Sequence, residues 1–374
     1  MKSITQIRGG IGFFAALFAI AVAMVACEAP TQEFGEGGAL DSPIGIAIHG
    51  DYAYITNANF DLSDDKEGWI AVIDLYTALR NRKKCILNRM ITEPYIGDIV
   101  INDEGSLAYI ANRKQDLVML VDLSDPVNPE IIDMEPEKKG IQGIKVGIAP
   151  VALALSPDET FLFAANVGSG DLSIIDTATR KLIKNERLGA GINAVAVDPE
   201  GKYVYVSNKG LNSISLLEIE TGKFVTSFAV GDQRSGIGQD TRDIDFSKDG
   251  RYAYISAGEP PSIMVVDTDK LPHYPDRAVI EYIPMDSKPT AVKLSPDGSE
   301  LWVANYFSSA VYVVDTYYHE IIDVVDTGIG PYDIAFFPGT PQDPDHYYAL
   351  VTCFYAHNLS LIDARSKELI WAIP

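Results

Sequence analysis

Three aspartates interrupt runs of small and apolar residues: Asp98 in IGDIVI, Asp243 in TRDIDF and Asp333 in PYDIAF. Aligned on the turn that follows each run, they share a column with Gly45, Ala152, Ala194 and Ala291. Small residues suit a place where chain segments converge, but packing does not require three carboxylates there. Arg242 precedes Asp243, and Asp245, two positions on, is expected to face Lys293 of the following unit. Carboxylates gathered at the mouth of an enclosed space can bind a cation or a basic ligand, or serve as a general base. The competing reading is a structural network of charges around a solvated channel.

A second group is aromatic. Tyr306 and Phe307, then Phe354, Tyr355 and His357, follow the ends of apolar strands, and Phe60 and Tyr332 belong to the same region. Aromatic rings in loops are costly unless they pack or bind, so these residues mark either a ligand patch or a packed rim. Other chemistry is sparse. Asp61, Ser63 and Asp65 alternate as in calcium loops, but the central Gly and closing Glu of an EF-hand are missing. The five His form no HExxH, no CxxCH haem site occurs, and no G-x-S-x-G, P-loop or dinucleotide fingerprint appears. No cofactor is expected on this basis.

The elements that must position these residues repeat along the chain. Apolar strands end as YITN, YIAN, FAAN, YVSN, YISA, WVAN and LVTC. A second set of strand ends falls at Asp74, Asp122, Asp176, Glu218, Asp267, Asp315 and Asp363, spaced 48, 54, 42, 49, 48 and 48 residues apart. Turns such as SPDET, DPEGK, SKDGR and SPDGS precede the first set, with residues suited to type I turns. Each unit therefore reads as four short antiparallel strands, in the sixth copy near 290–295, 301–305, 310–315 and 320–325. The two middle strands are apolar on both faces, so sheets must cover both, as radially packed blades do. The repeated Asn and Asp are expected to serve turns.

At these residues the chain resembles the YVTN family of β-propellers, over about residues 43–374 and seven units. The resemblance implies an all-β, seven-bladed propeller of four-stranded antiparallel blades. It implies little about function, because members include surface-layer, periplasmic and quinoprotein-like proteins. Ala257 and Cys353 replace the strand-end Asn in units five and seven. The last unit ends in KELIWAIP, which reads as a complete fourth strand, so closure blade against blade is compatible with the sequence, which leaves the manner of closure open. Ring closure makes units six, seven and one neighbours, which gathers the aromatic group. Loops after second strands and between blades share one face, here the first face. Most of the longer loops fall there, at 57–68, 135–147 and 231–241, with 76–85, 270–278 and 339–346 on the other.

The N-terminus carries a different signal. Lys2 and Arg8 precede IGFFAALFAIAVAMVA, residues 11–26, which has no charge and is short for a membrane span. Its end, MVAC, resembles a bacterial lipoprotein signal with Cys27 as the lipidated residue. Residues 1–26 then form the signal peptide and 27–42 a flexible tether. Glu28, instead of Asp, leans towards the outer membrane, facing the periplasm or the surface. Of the other two cysteines, Cys85 and Cys353, free and partly buried thiols are expected.

The 374 residues carry 30 Lys and Arg against 52 Asp and Glu, a net charge of −22. Without the leader, 28 basic residues face 52 acidic ones and the charge deepens to −24. Such a surface repels phosphate backbones and argues against nucleic acid as partner. The expectation is a lipid-anchored envelope protein whose propeller binds a protein, peptide or glycan without catalysis. The alternative is a lactonase-like or quinoprotein-like propeller enzyme that uses the carboxylate mouth.

Overall fold

The computed structural model describes residues 40–58, 67–138, 140, 142–230, 240–339, 343 and 345–374. The apolar leader, Cys27, Phe60 and the Asp61, Ser63, Asp65 triplet lie outside them. Seven antiparallel sheets follow one another, each made of strands consecutive in sequence. Second strands end at Asn57, Asn112, Asn166, Asn208, Gly258, Asn305 and Cys353, and third strands at the seven acidic residues of the repeat. In the sixth blade the strands are Pro289–Leu294, Glu300–Asn305, Ala310–Asp315 and Ile321–Asp326.

The terminal residues of these strands do what their chemistry allows. Asn112 Oδ1 accepts the Lys114 and Gln115 N–H groups at 3.1 Å each, and Asn208 Oδ1 accepts that of Leu211 at 2.9 Å. Asp176 Oδ1 takes the Thr179 N–H at 2.7 Å, and Asp315 Oδ1 those of Tyr317 and Tyr318 at 2.8 and 2.7 Å. Both residue types close turns by accepting backbone donors that the ladders leave over.

Seven apolar clusters lie between sheets, one for each pair of neighbouring blades. Middle strands are therefore buried on both faces, while the outermost ones, such as Ile321–Asp326, stay largely exposed. Trp302 is fully buried between blades six and seven, edge-on to Phe336 at 5.3 Å. Burying such a side chain removes several kcal/mol of apolar exposure, and seven such layers hold the ring.

Among the described residues the first and last blades exchange no strand, so the ring closes blade against blade. Ile46, Ile55 and Ile73 pack on Leu350, Leu361 and Ile373, and the Trp371 indole donates to the Ala78 carbonyl at 3.0 Å. Two details differ from expectation. Residues 40–42, assigned to the tether, belong to this seam. Leu40 is buried in it, and the Asp41 N–H is held by Asn57 Oδ1 at 3.1 Å. The outer strand of blade two comes in two pieces, Glu130–Ile132 and Ile144–Lys145, both paired with Leu117–Asp122. The second piece falls inside the stretch read as a long loop. Its residues pair with Leu117 and Val118, the end of the third strand that Glu130–Ile132 does not reach.

Candidate ligand site at the channel mouth

The innermost strands of all seven blades enclose a central channel of about 940 Å³. In six blades this strand shifts register near its start, for example between Pro331 and Ile334. Such bulges leave backbone N–H groups without a ladder partner. The column aspartates meet that need across blade boundaries. Asp98 accepts the N–H of Ile99 and of Leu153 in blade three, each at 2.8 Å. Asp243 accepts Ile244 at 2.8 Å and Val292 of blade six at 3.0 Å. Asp333 accepts Ile334 at 2.8 Å and Ile46 of blade one at 3.1 Å, across the closing seam. Asp245 repeats the pattern one step deeper, on Phe246 at 3.0 Å and Leu294 at 2.7 Å.

Where the column is small, the backbones come closer. A Cβ on Gly45 would meet Thr56 Oγ1 at 2.7 Å, the same hydroxyl that bridges to the Gly97 carbonyl of blade two at 2.7 Å. The column is thus a set of clasps between blades.

Enclosure sets the electrostatics. Solvent reaches these groups only along a shaft walled by protein, so burial raises the Asp98 pKa to about 6 against the pull of its two N–H bonds. Burial raises Asp243 to about 7, with the Asp333 charge adding to it, and likewise Asp333 to about 7, with Asp98 adding. Lys293 projects among them. The charge of Asp245 first, then of Asp243, Asp333 and Asp98, outweighs burial and holds its ammonium protonated. Among the described residues no three His, Cys, Asp or Glu side chains converge to hold a metal ion. In all three aspartates both carboxylate oxygens face backbone amides inside the shaft, the arrangement of a structural network.

The mouth on the first face is basic instead. Asp240, 3% exposed, is shared by three cations from three blades. Arg242 reaches its Oδ2 through Nε at 3.1 Å and Nη2 at 3.0 Å, Lys209 reaches Oδ1 at 2.9 Å, and Lys288 pairs with Oδ2. Arg113 lines the same opening and has no side-chain partner among the described residues. The positive charges of Arg242 and Arg113 oppose the burial that raises the Tyr332 pKa, which places that hydroxyl within their field.

Beside the cations stands the aromatic group. Tyr306 is its centre, 5.1 Å from Phe307, 5.5 Å from Tyr355, 6.4 Å from Tyr332 and 6.5 Å from Phe354 between ring centroids. Burial and a hydrogen bond with Tyr355 raise the Tyr306 pKa. Phe307 remains 72% exposed and Tyr355 55% exposed. Five of the expected aromatic residues therefore form one surface, part packed and part open. His357 turns away from it: its Nδ1 accepts the Ser42 N–H and faces Asp41 Oδ1, both at 3.1 Å, at the seam.

Sequence reasoning missed Arg113, Lys209, Lys288 and Asp240. A positional signal existed for two of them. The residue after each second-strand motif reads Ala58, Arg113, Val167, Lys209, Gly258, Tyr306 and Phe354. At six of these positions the N–H bonds to the segment leading into the innermost strand, as in Arg113 to the Tyr95 carbonyl and Lys209 to that of Gly191. That bond fixes the position at the rim, so its side chains surround the opening.

The family description "Lactonase, 7-bladed beta-propeller" matches residues 176–273, less than half of the chain. No curated protein matches. Among solved structures, Kuenenia stuttgartiensis Hydrazine Synthase is similar with a TM-score of 0.68 and 17% identity, covering 89% of this chain and 98% of that one. A functionally unknown protein from Desulfotomaculum acetoxidans DSM 771 is similar with a TM-score of 0.64 and 14% identity, covering 82% and 92%. At these identities the likeness is one of fold, and the fold is the seven-bladed β-propeller that the sheets describe.

Proposed function

We propose that this chain is a lipoprotein of the bacterial cell envelope, anchored through Cys27, with a YVTN-type propeller that binds a ligand without catalysis. The ligand is an envelope protein, peptide or glycan, seated on the first face at the channel mouth. One observation carries the reading. The aromatic surface of Tyr306, Phe307, Tyr332, Phe354 and Tyr355 departs from the repeat and stays partly open, whereas the channel carboxylates are engaged as clasps between blades. The charged leader and MVAC support the anchor, and the acidic surface opposes nucleic acid.

The test is binding of the detergent-solubilised chain to an array of envelope glycans and peptides. Binding lost on Tyr306→Ala with Tyr355→Ala, but kept in Asp98→Asn, Asp243→Asn and Asp333→Asn, is the expected result. The reverse pattern would sink the reading and favour chemistry in the channel. A lactonase-like reading has one observation in its favour, the match over 176–273, which includes Arg242 and Asp243. Lactone hydrolysis abolished by Asp243→Asn would establish it.

A further inference from the structure

We propose that the channel mouth is an anion site, built by Arg113, Lys209, Arg242 and Lys288, for a compact acid group of that ligand, such as a uronic acid unit of a glycan, whose ring lies on the neighbouring aromatic wall. This deepens the binding reading above and rests on it. The charge distribution is the starting point. Acidic residues outnumber basic ones by 22 over the chain, yet here four cations line one opening, three of them sharing Asp240 as their carboxylate and Arg113 standing beside them. They come from different blades, so no single strand or turn explains their meeting. Lys209 and Lys288 sit close enough that burial first, then the Lys209 charge, lowers the Lys288 pKa. A second anion would relieve that repulsion.

The alternative is that these cations compensate the carboxylates in the shaft. The cation that pulls Asp98, Asp243 and Asp333 down is Lys293. Among the described residues the mouth cations are left with only Asp240 against them and an open side: Lys209 is 52% exposed, Arg242 31% and Lys288 22%.

Size follows from electrostatics. A surface charge acts over about 8 Å at physiological salt. An extended polyanion would lie over the acidic exterior and be repelled, whereas a compact carboxylate or phosphate feels the mouth alone. Tyr332 sits in the field of Arg242 and Arg113, with the weaker charges of Asp333 and Asp98 acting the other way, and it also contacts Tyr306 and Phe354, so charge and flat apolar surface adjoin. An acid group attached to a sugar-like or planar ring satisfies both.

The experiment titrates the full chain in detergent with glucuronate, inorganic phosphate and glucose, by calorimetry at neutral pH. Glucuronate should bind, phosphate should compete for the charge site, and glucose should bind at least about tenfold more weakly. Lys209→Met and Arg113→Met should each weaken glucuronate about tenfold, as should raising salt from about 0.05 to about 0.5 M. Among the described residues neither side chain has a structural partner other than Asp240, so an unchanged melting temperature confirms folding. Glucose binding as well as glucuronate, or glucuronate binding indifferent to both substitutions, overturns the anion site and leaves the aromatic binding face standing. Absence of any response to glucuronate and phosphate at about 10 mM also overturns it. Glucuronate binding unchanged in Tyr306→Ala with Tyr355→Ala overturns the ring's seat on the aromatic wall and the underlying reading with it.

Discussion

Raising the pH from mildly acidic to neutral should destabilise the fold, and the channel aspartates are the reason. In the unfolded chain an aspartate titrates near 3.9. In the native ring Asp243 and Asp333 titrate near 7 and Asp98 near 6, through burial and their mutual charge. A raised folded pKa means the native state holds protons that the unfolded state has released. Stability is then fully present below about pH 4 and is lost as pH climbs towards about 7. One such proton gives a slope of about 1.4 kcal/mol per pH unit, or on the order of 3 kcal/mol between about pH 5 and 7. The three carboxylates raise one another through their charges, so their protons leave in coupled steps, and about one proton is the working magnitude over this interval. The assay is urea unfolding at constant ionic strength, followed by tryptophan fluorescence. The acidic exterior pushes in the same direction, so the comparison that decides is with Asp243→Asn and Asp333→Asn together. That variant cannot ionise at these sites and should lose about one proton's worth of slope, roughly 1.4 kcal/mol per pH unit. Stability that rises with pH over this interval, or a variant with the wild-type slope, would refute the reasoning.

Other outcomes follow from single contacts. Trp302→Ala opens a cavity between blades six and seven against Phe336 and should cost about 3–5 kcal/mol in urea unfolding. Thr352→Val keeps shape but strands the Asp333 N–H, which its hydroxyl accepts at 2.9 Å, and the Ile44 carbonyl, to which it donates at 3.3 Å. It should cost about 1–3 kcal/mol and speed proteolysis at the seam between the first and last blades. Cys85 and Cys353 are buried, with burial pushing the Cys85 thiol up to about 12 and raising that of Cys353, so neither should react with a thiol reagent in the native protein. On denaturation a chain lipidated at Cys27 should titrate two thiols, whereas an unmodified one would titrate three.

Strand ends and blade count were readable because they are local. Asn208 and Asp315 close turns within three residues of themselves, so each unit announces its boundaries without reference to the others. The aspartate column was visible too, but its purpose was not. Whether Asp333 is a ligand group or a clasp depends on a register shift in its own strand and on the Ile46 N–H, 287 residues away. His357 illustrates the same limit: its place in the chain joins it to Tyr355, whereas its hydrogen bond joins it to Ser42.

By itself, then, the sequence determined an all-β chain of seven like units, their turns, a complete last strand and an acidic exterior. These follow from spacing, turn chemistry and composition, which act over a few residues. Tertiary structure decided which polar groups face each other across blades: carboxylates turned inward onto amides, Lys293 among them, and a basic mouth around Asp240. Those pairings exist only after ring closure brings Arg113, Lys209, Arg242 and Lys288 to one opening. The sign of the potential there depends on distances that no local pattern encodes.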